Sequence, residues 1–482
     1  MSHEYHQATA YARQAMGGHC LDWAQRPHPF KRYRVYAPRP LAPPRRPRAA
    51  FFDVACAWPP PAPEPADGAP ALDAAGLAGM LETAAGLTAM TPGDPDGGGL
   101  RAWASAGALY PCELYLTAAG VAGLADGLYH FAPELPGLTP LWPGATAAAA
   151  ARPLGRDPAG LTLCVSGYYW RSLWKYRSRA YRYCLLDAGH LAANLELACA
   201  AAGLTPRPAM DFADRALNVF LGLASDDEAA LYALQAGPAP SAPSPASPGL
   251  PPLDREARPL SARMGRDQGL LAAHAAGELE DPAGPRAWPR VQVGAAPLTL
   301  PAPAPGGPDL AETIRRRRSR RNFVPAGLDA AAVARLLAAA LPAEGPALAT
   351  VLLGPGGELP AGAHLYLPAE RALAPLGGSD RRAAAAAACL GQMWAGQAAL
   401  VLLLWHDLAA LAQRGGARTY RHALLHAGRV GQRLYLAATA LGLGCCGVGA
   451  FYDRELALAA GLPPGGDPLY LLACGPVKGG PR

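Results

Sequence analysis

No hydrophobic run in the 482 residues approaches the ~20 needed to cross a bilayer; the longest, such as Ala398–Trp405, hold eight. The opening MSHEYHQAT is polar and lacks the basic-then-apolar layout of a signal peptide. The ten cysteines are scattered and include no CxxC pair, so they read as reduced core thiols or incidental ones. There is no Gly-rich P-loop and no GxSxG elbow. Asp187 and His190 lie three apart on a predicted helix, but no third ligand stands at metal spacing, so no metal is expected. Net charge is only +6, much of it in two clusters, Arg39–Arg48 and Arg315–Arg321. That argues against a surface built to coat nucleic acid and leaves room for a local anion site. The expectation is a soluble, cytoplasmic protein with neither membrane nor nucleic acid as partner.

What the chain does contain is itself, twice. Tyr181–Leu204 (YRYCLLDAGHLAANLELACAAAGL) returns without a gap at Tyr420–Leu443 (YRHALLHAGRVGQRLYLAATALGL), identical at 12 of 24 positions. The likeness continues from Phe212-Ala-Asp214-Arg215 to Phe451-Tyr-Asp453-Arg454, and from Leu231-Tyr232 to Leu469-Tyr470. A period this long means two domains, since solenoid repeats are far shorter. Apolar residues make up 51%, largely Ala and Leu, as helix-rich globular domains require. The expected organisation is an N-terminal extension 1–50, a first domain 51–238, a Pro/Ala-rich linker 239–308 and a second domain 309–482.

Spacing of Leu72, Leu77, Met80 and Leu81 predicts an amphipathic helix, Leu114–Ala118 and Leu161–Ser166 predict buried strands, and Leu185–Leu204 predicts a long helix ended by Gly203. Copy two predicts a helix from Asp309, another over Leu328–Leu341, a strand at Ala398–Trp405 and the repeat helix from about Tyr420. Helices and strands are mixed without βαβ alternation, which predicts an α+β fold.

Four segments could carry chemistry. In RRRRSRRNF, Arg317, Ser319 and Arg321 alternate, so on an extended turn two guanidinium forks and a hydroxyl would face one way, as a phosphate monoester requires; a solvated basic face is the plainer reading. In ASAGALYP, the small residues Ser105, Ala106 and Gly107 would let a flat ring approach the backbone, or simply form a tight turn. In GLGCCGVGAF, Gly447, Val448 and Gly449 follow a long helix and could turn backbone amides toward a ligand. It is not a dinucleotide fingerprint, because no strand precedes it and no βαβ unit opens there. Finally, Lys175-Tyr176 sits among Tyr168, Tyr169, Trp170 and Trp174. Desolvation by these rings would poise the amine as a base with the phenol as proton partner, against the alternative of a surface Lys among packing aromatics.

Together these segments resemble the nitroreductase-like flavoproteins, specifically the SagB-type azoline dehydrogenases of ribosomal-peptide biosynthesis. The likeness is carried by Tyr5-His6…Thr9, SAGALYP at 105–111, GLYHF at 127–131, Lys175-Tyr176, YRYCLLDAGH at 181–190 and RRSRRNF at 317–323. The resemblance implies an α+β domain that works as a dimer with FMN across the interface. One subunit supplies the Arg-Ser-Arg phosphate cradle and a glycine-bearing backbone segment, and its partner supplies the small-residue loop. This chain divides those parts between its copies: SAGALYP and Lys-Tyr in the first, Arg317-Ser319-Arg321 and Gly447-Val448-Gly449 in the second. The implied arrangement is two tandem nitroreductase-like domains packed as an intramolecular pseudo-dimer, with one composite FMN site, compatible with a monomeric chain.

The resemblance further implies oxidation of thiazolines or oxazolines in a modified precursor peptide to azoles. Lys175 and Tyr176 would serve as base and proton partner, the Gly449 N–H would lie near the flavin N5, and Lys478 would be a further phosphate ligand. A cyclodehydratase is the implied partner. Two other readings compete: an NAD(P)H-dependent flavin reductase of nitro, quinone or enone substrates, and a degenerate scaffold in a peptide-modifying complex.

Overall fold

The computed structural model describes residues 2–18, 20–57, 72–94, 98–239, 255–284, 286–288, 296–342 and 345–479. The chain forms two compact units, and neither is contiguous in sequence. One comprises Cys20–Arg48 and Pro60–Arg286 and holds the first copy; the other comprises Met1–His19, Ala49–Pro59 and Ala287–Arg482 and holds the second. Contiguous domains were expected from composition; in the structure the two units interleave along the first sixty residues.

In the first-copy unit the sheet runs, in spatial order, Arg39–Pro40, Gly137–Pro143, Gly127–Ala132, Cys112–Ala118, Leu161–Tyr168, Glu228–Ala236 and Arg207–Ala209. In the second-copy unit the order is Leu298–Thr299, Ala372–Gly377, Gly362–Leu367, Leu348–Leu353, Leu400–His406, Asp467–Gly475 and Gly444–Val448. Strand for strand the topology is the same, with the Leu161–Tyr168 and Leu400–His406 strands in equivalent places. Pairing within both sheets is antiparallel, as hairpin connections allow and as an α+β architecture requires.

The long repeat helix is Ala180–Ala201 in one unit and Arg418–Ala440 in the other, each buried along most of its length. Ala and Leu supply much of the buried surface, while buried polar residues on both helices, Asp187, Asn194 and Arg433 among them, find hydrogen-bond partners. Against it pack Ala74–Ala85 in the first unit and Ala330–Ala340 in the second, started by Asp73 and Asp329, whose carboxylates accept from the Gly76 and Ala332 amides. Position 194 of copy one becomes position 433 of copy two, and the same task is done by different chemistry. Asn194 Nδ2 donates to Ala84 O at 3.0 Å, and Arg433 Nη1 donates to Ala339 O at 3.3 Å.

The first-copy core joins Tyr115, Leu128, Leu141, Phe212, Leu217 and Leu221; the second joins Leu352, Leu365, Val401, Leu403, Phe451 and Leu471. Burying each such large side chain contributes roughly 1.5–3 kcal/mol. Composition predicts an extended segment over 239–308, but Gln268–Ala276 is a helix, capped by Asp267 and burying Leu270, Ala273 and His274. Its His274 Nδ1 lies 3.0 Å from the Tyr181 hydroxyl, so tertiary contact supplies the order that local composition withholds. Residues 240–254 lie outside the described residues. The Tyr5-His6…Thr9 motif forms the helix Ser2–Ala8 in the second-copy unit, where Tyr5 meets Tyr420 edge-on and His6 Nδ1 lies 3.4 Å from the Tyr420 hydroxyl. Among the described residues no helix is long and apolar enough to cross a membrane.

Candidate functional site

Two constellations emerge, one in each unit. In the first-copy unit the loop after Trp103 turns sharply at Gly107, whose φ of +64° a side chain would resist. There is also no room for one: a Cβ at Gly107 would lie 2.7 Å from the Tyr176 hydroxyl and 3.0 Å from Lys175 Nζ. The loop backbone therefore lies directly against the Lys-Tyr pair. Both residues close the helix Tyr169–Tyr176 and are half-buried. Tyr176 packs tilted against Tyr183 with ring centroids 4.1 Å apart, and Lys175 Nζ lies 5.6 Å from the centre of the Tyr176 ring.

Two buried carboxylates build this arrangement. Glu113, on the strand Cys112–Ala118, takes Arg171 Nη1 at 2.5 Å and His130 Nε2 at 2.8 Å; Arg171 also donates to Tyr110 O at 3.0 Å. Burial alone would raise the Glu113 carboxyl, yet Arg171 and His130 hold it well below the usual carboxylate range. Arg171 thus ties the Lys-Tyr helix to the strand after SAGALYP, and His130 gives the GLYHF motif its place. The second carboxylate is Asp187 on the long helix, 3% exposed. It accepts a short hydrogen bond from Ser105 Oγ and one from the Ala106 amide at 3.3 Å, while Tyr110 N donates to Ser105 Oγ at 2.8 Å. From sequence, Asp187 and His190 are placed three apart on one helix; Asp187 lies in the interior, holding the loop.

Burial pushes the Asp187 carboxyl up to about 7, against the lowering effect of its bonds to Ser105 and Ala106. The sign of the consequence is fixed by linkage. The folded chain binds this proton more tightly than the unfolded chain, whose ordinary value is 3.8, so Asp187 costs stability progressively as pH rises from about 4 to 7. Asp187→Asn removes that term. Denaturant titrations should show the variant gaining on the natural chain by up to ~1.4 kcal/mol per pH unit in that window, with a constant difference above it. A difference independent of pH would mean the carboxyl titrates normally.

In the second-copy unit, Arg317, Ser319 and Arg321 leave the helix Leu310–Arg316 and run along the edge strand Gly444–Val448. Ser319 bridges Cys445, Arg320 N donates to Cys445 O at 2.9 Å, and Phe323 bridges Val477. Asn322 O and Nδ2 bond the backbone N and O of Lys478 at 3.0 and 2.9 Å, which brings that lysine beside the motif. Arg317 is buried with its guanidinium 5.6 Å from the Tyr435 ring centre; Arg321 is exposed and lies 5.7 Å from that of Trp394.

Tyr435 organises the group. Its hydroxyl lies 3.1 Å from Ser319 Oγ and accepts the Gly447 N–H at 2.6 Å, and burial holds the phenol well above its ordinary value. The equivalent residue in copy one is Glu196, which takes the Tyr232 hydroxyl at 2.6 Å instead. A side chain at Gly447 would overlap the Tyr470 phenol, the counterpart of Tyr232. Gly449 follows the end of the strand. Tyr435 and Trp394 carry no motif of their own, though the Glu196-to-Tyr435 difference was visible in the aligned repeats. Within the second-copy unit, two guanidinium groups and a hydroxyl along one strand edge, with the Lys478 backbone beside them, suit a phosphate monoester such as that of FMN. Among the described residues no cluster of His, Cys, Asp and Glu could hold a metal.

Comparison with known proteins agrees with this picture. Residues 314–476 match the nitroreductase family. A Methanocaldococcus jannaschii protein with the provisional name nitroreductase MJ1384 is 30% identical over 116 residues, 23% of this chain and 59% of its own, so the chain spans about three-fifths of that relative's length. A crystal structure from Anabaena variabilis, also provisionally described as a nitroreductase, aligns over 99% of both chains with 25% identity and a TM-score of 0.77. The fold of the whole chain is therefore nitroreductase-like and α+β. An E. coli microcin synthetase complex with a bound truncated pro-peptide aligns over 35% of this chain and 64% of its own with 25% identity, and its TM-score of 0.31 is too low to carry an argument.

Proposed function

We propose, for a chain whose residues 314–476 carry a nitroreductase-family domain and whose whole length has that fold, that it is an FMN-dependent dehydrogenase oxidising azolines of a modified peptide to azoles. The observation that carries this reading is the Lys175–Tyr176 pair set against the bare backbone of Gly107. Reductases of flat electrophiles need a flavin and a place to stack. Oxidising a thiazoline or oxazoline needs in addition a base at the ring carbon alpha to the carbonyl, and an amine beside a phenol is such a base.

Arg317, Ser319, Arg321 and Lys478 would hold the FMN phosphate, and Ser105, Ala106, Gly107, Gly447, Val448 and Gly449 would turn backbone toward the ring. Bound FMN would supply the acceptor for the hydride that leaves the azoline. The chain's own part is to remove a proton: Lys175 or Tyr176 takes it at Nζ or Oη, and the other donates a hydrogen bond to the group that receives it.

The phosphate ligands occur once, in the second-copy unit, and the Lys-Tyr pair once, in the first-copy unit. The expected flavin content is therefore about one FMN per chain, read from the visible spectrum of purified protein. Two per chain would mean that each unit builds a full site, and none after reconstitution would leave a scaffold. A nitroreductase reading also has support, in the family match and the designations of the Methanocaldococcus and Anabaena relatives. Anaerobic mixing separates the two: rapid bleaching by NADPH but not by an azoline peptide would favour the reductase.

A further inference from the structure

Among the described residues, Asp187 is the one buried carboxylate of the first-copy unit whose bonds all go to the small-residue loop. Glu113 is matched by Arg171 and His130, and Glu228 by Lys31 at 2.5 Å. Asp187 faces no cation. Its neighbours are the Ser105 hydroxyl and Ala106 amide on the loop, the Cys112 thiol on the adjoining strand and the Cys184 thiol one turn back on its own helix. Such a group is expensive: a buried carboxylate with only neutral donors costs stability that an apolar residue would not. The second copy has replaced it with His426, and that copy has no SAGALYP loop.

We infer that Asp187 is a positioning residue, which clamps the Ser105–Tyr110 loop so that the backbone at Gly107 stays against Lys175 and Tyr176. The loop needs an outside restraint because its conformation is locally unfavourable. Gly107, Ala108 and Tyr110 all have positive φ, at 64°, 54° and 47°, and the latter two are not glycine. Through Ser105 the grip spans the loop. The hydroxyl donates to Asp187 while accepting from the Tyr110 amide, so one carboxylate restrains both ends of the turn. The assignment rests on the proposed use of Lys175 and Tyr176 only for its catalytic consequence; the clamp itself can be tested without it.

The test uses the full chain and the variants Asp187→Asn and Ser105→Ala. Hydrogen exchange at the Ala106 and Tyr110 amides should quicken at least tenfold in both, and the double variant should add little to either. The chain has three lysines, Lys31, Lys175 and Lys478, so acetic anhydride labelling read by mass spectrometry reports on each separately. Lys175 should acylate several-fold faster in the variants, with Lys478 unchanged as internal control. At pH 8 the thermal midpoint of Asp187→Asn should not fall, because a buried charge has been removed. Turnover of an azoline peptide should still drop at least tenfold in kcat with KM little changed. Unchanged exchange and unchanged Lys175 labelling would overturn the clamp. A loosened loop with full kcat would show that the clamp holds nothing the reaction uses. If the natural chain oxidises no azoline, the proposed function fails, and exchange and labelling still decide the clamp.

Discussion

Lys175→Met should lower turnover of an azoline-containing peptide by about a thousandfold while leaving bound flavin and thermal midpoint nearly unchanged. General-base catalysis typically contributes 10²–10⁴-fold, and an aliphatic chain of similar length fills the space without accepting a proton. The packing loss is small. The ammonium lies 5.6 Å from the Tyr176 ring centre, and such a contact is worth about 0.5–1 kcal/mol at a half-exposed site. Tyr176→Phe makes the complementary measurement, because it removes the phenol and keeps the ring that packs at 4.1 Å against Tyr183. Whichever variant loses the acidic limb of the pH–rate profile, where activity falls as the base takes up a proton, identifies the base. A Lys175→Met enzyme that turns over at the natural rate would remove Lys175 from the mechanism.

The second large effect belongs to Gly447→Ala. Its methyl group would overlap the Tyr470 phenol in the middle of a paired strand, where Gly447 stands opposite Leu472. Relief requires either phenol or strand to move, and overpacking of this kind costs typically ~1–3 kcal/mol. The displacement would not stay local. The Gly447 N–H is held by Tyr435, and the same hydroxyl contacts Ser319 between Arg317 and Arg321. Flavin affinity should therefore fall by about a hundredfold, measured by equilibrium dialysis. Tyr470→Phe in the same chain removes the nearest clashing atom and should recover part of it. Retention of flavin at natural affinity would dissociate the Gly447 strand from the phosphate ligands.

Much of the fold was legible because it depends on local pattern. The repeat helix, the helices opened by Asp73, Asp309 and Asp329, and the strands Cys112–Ala118, Leu161–Tyr168 and Leu400–His406 all follow from apolar spacing and capping residues. The helix Gln268–Ala276 was not legible. Its surroundings in sequence are rich in Pro, Ala and Gly, and only contacts such as that of His274 with Tyr181 make it worth forming. Nor could composition show that residues 1–19 and 49–59 join the second-copy unit. That depends on partners more than 400 residues away, such as Asp453, whose carboxylate accepts the Tyr11 amide at 2.9 Å.

The site divides along the same line. By itself the sequence determined which side chains are available: one Lys-Tyr pair, one alternating Arg317-x-Ser319-x-Arg321 run, two glycine-bearing segments, and their unequal distribution between the two repeated stretches. Residue identity and spacing are written in the chain, and chemical capacity follows from them directly. Tertiary structure alone decided which residues hold those groups in place. Asp187 and Tyr435 sit on long helices whose sequences advertise only packing, and each meets its partners through a fold that brings loop, strand and helix together across 80 or more residues in one case and 116 in the other. Hydrogen bonds of that range are set by where the sheet places the backbone, which no local periodicity encodes.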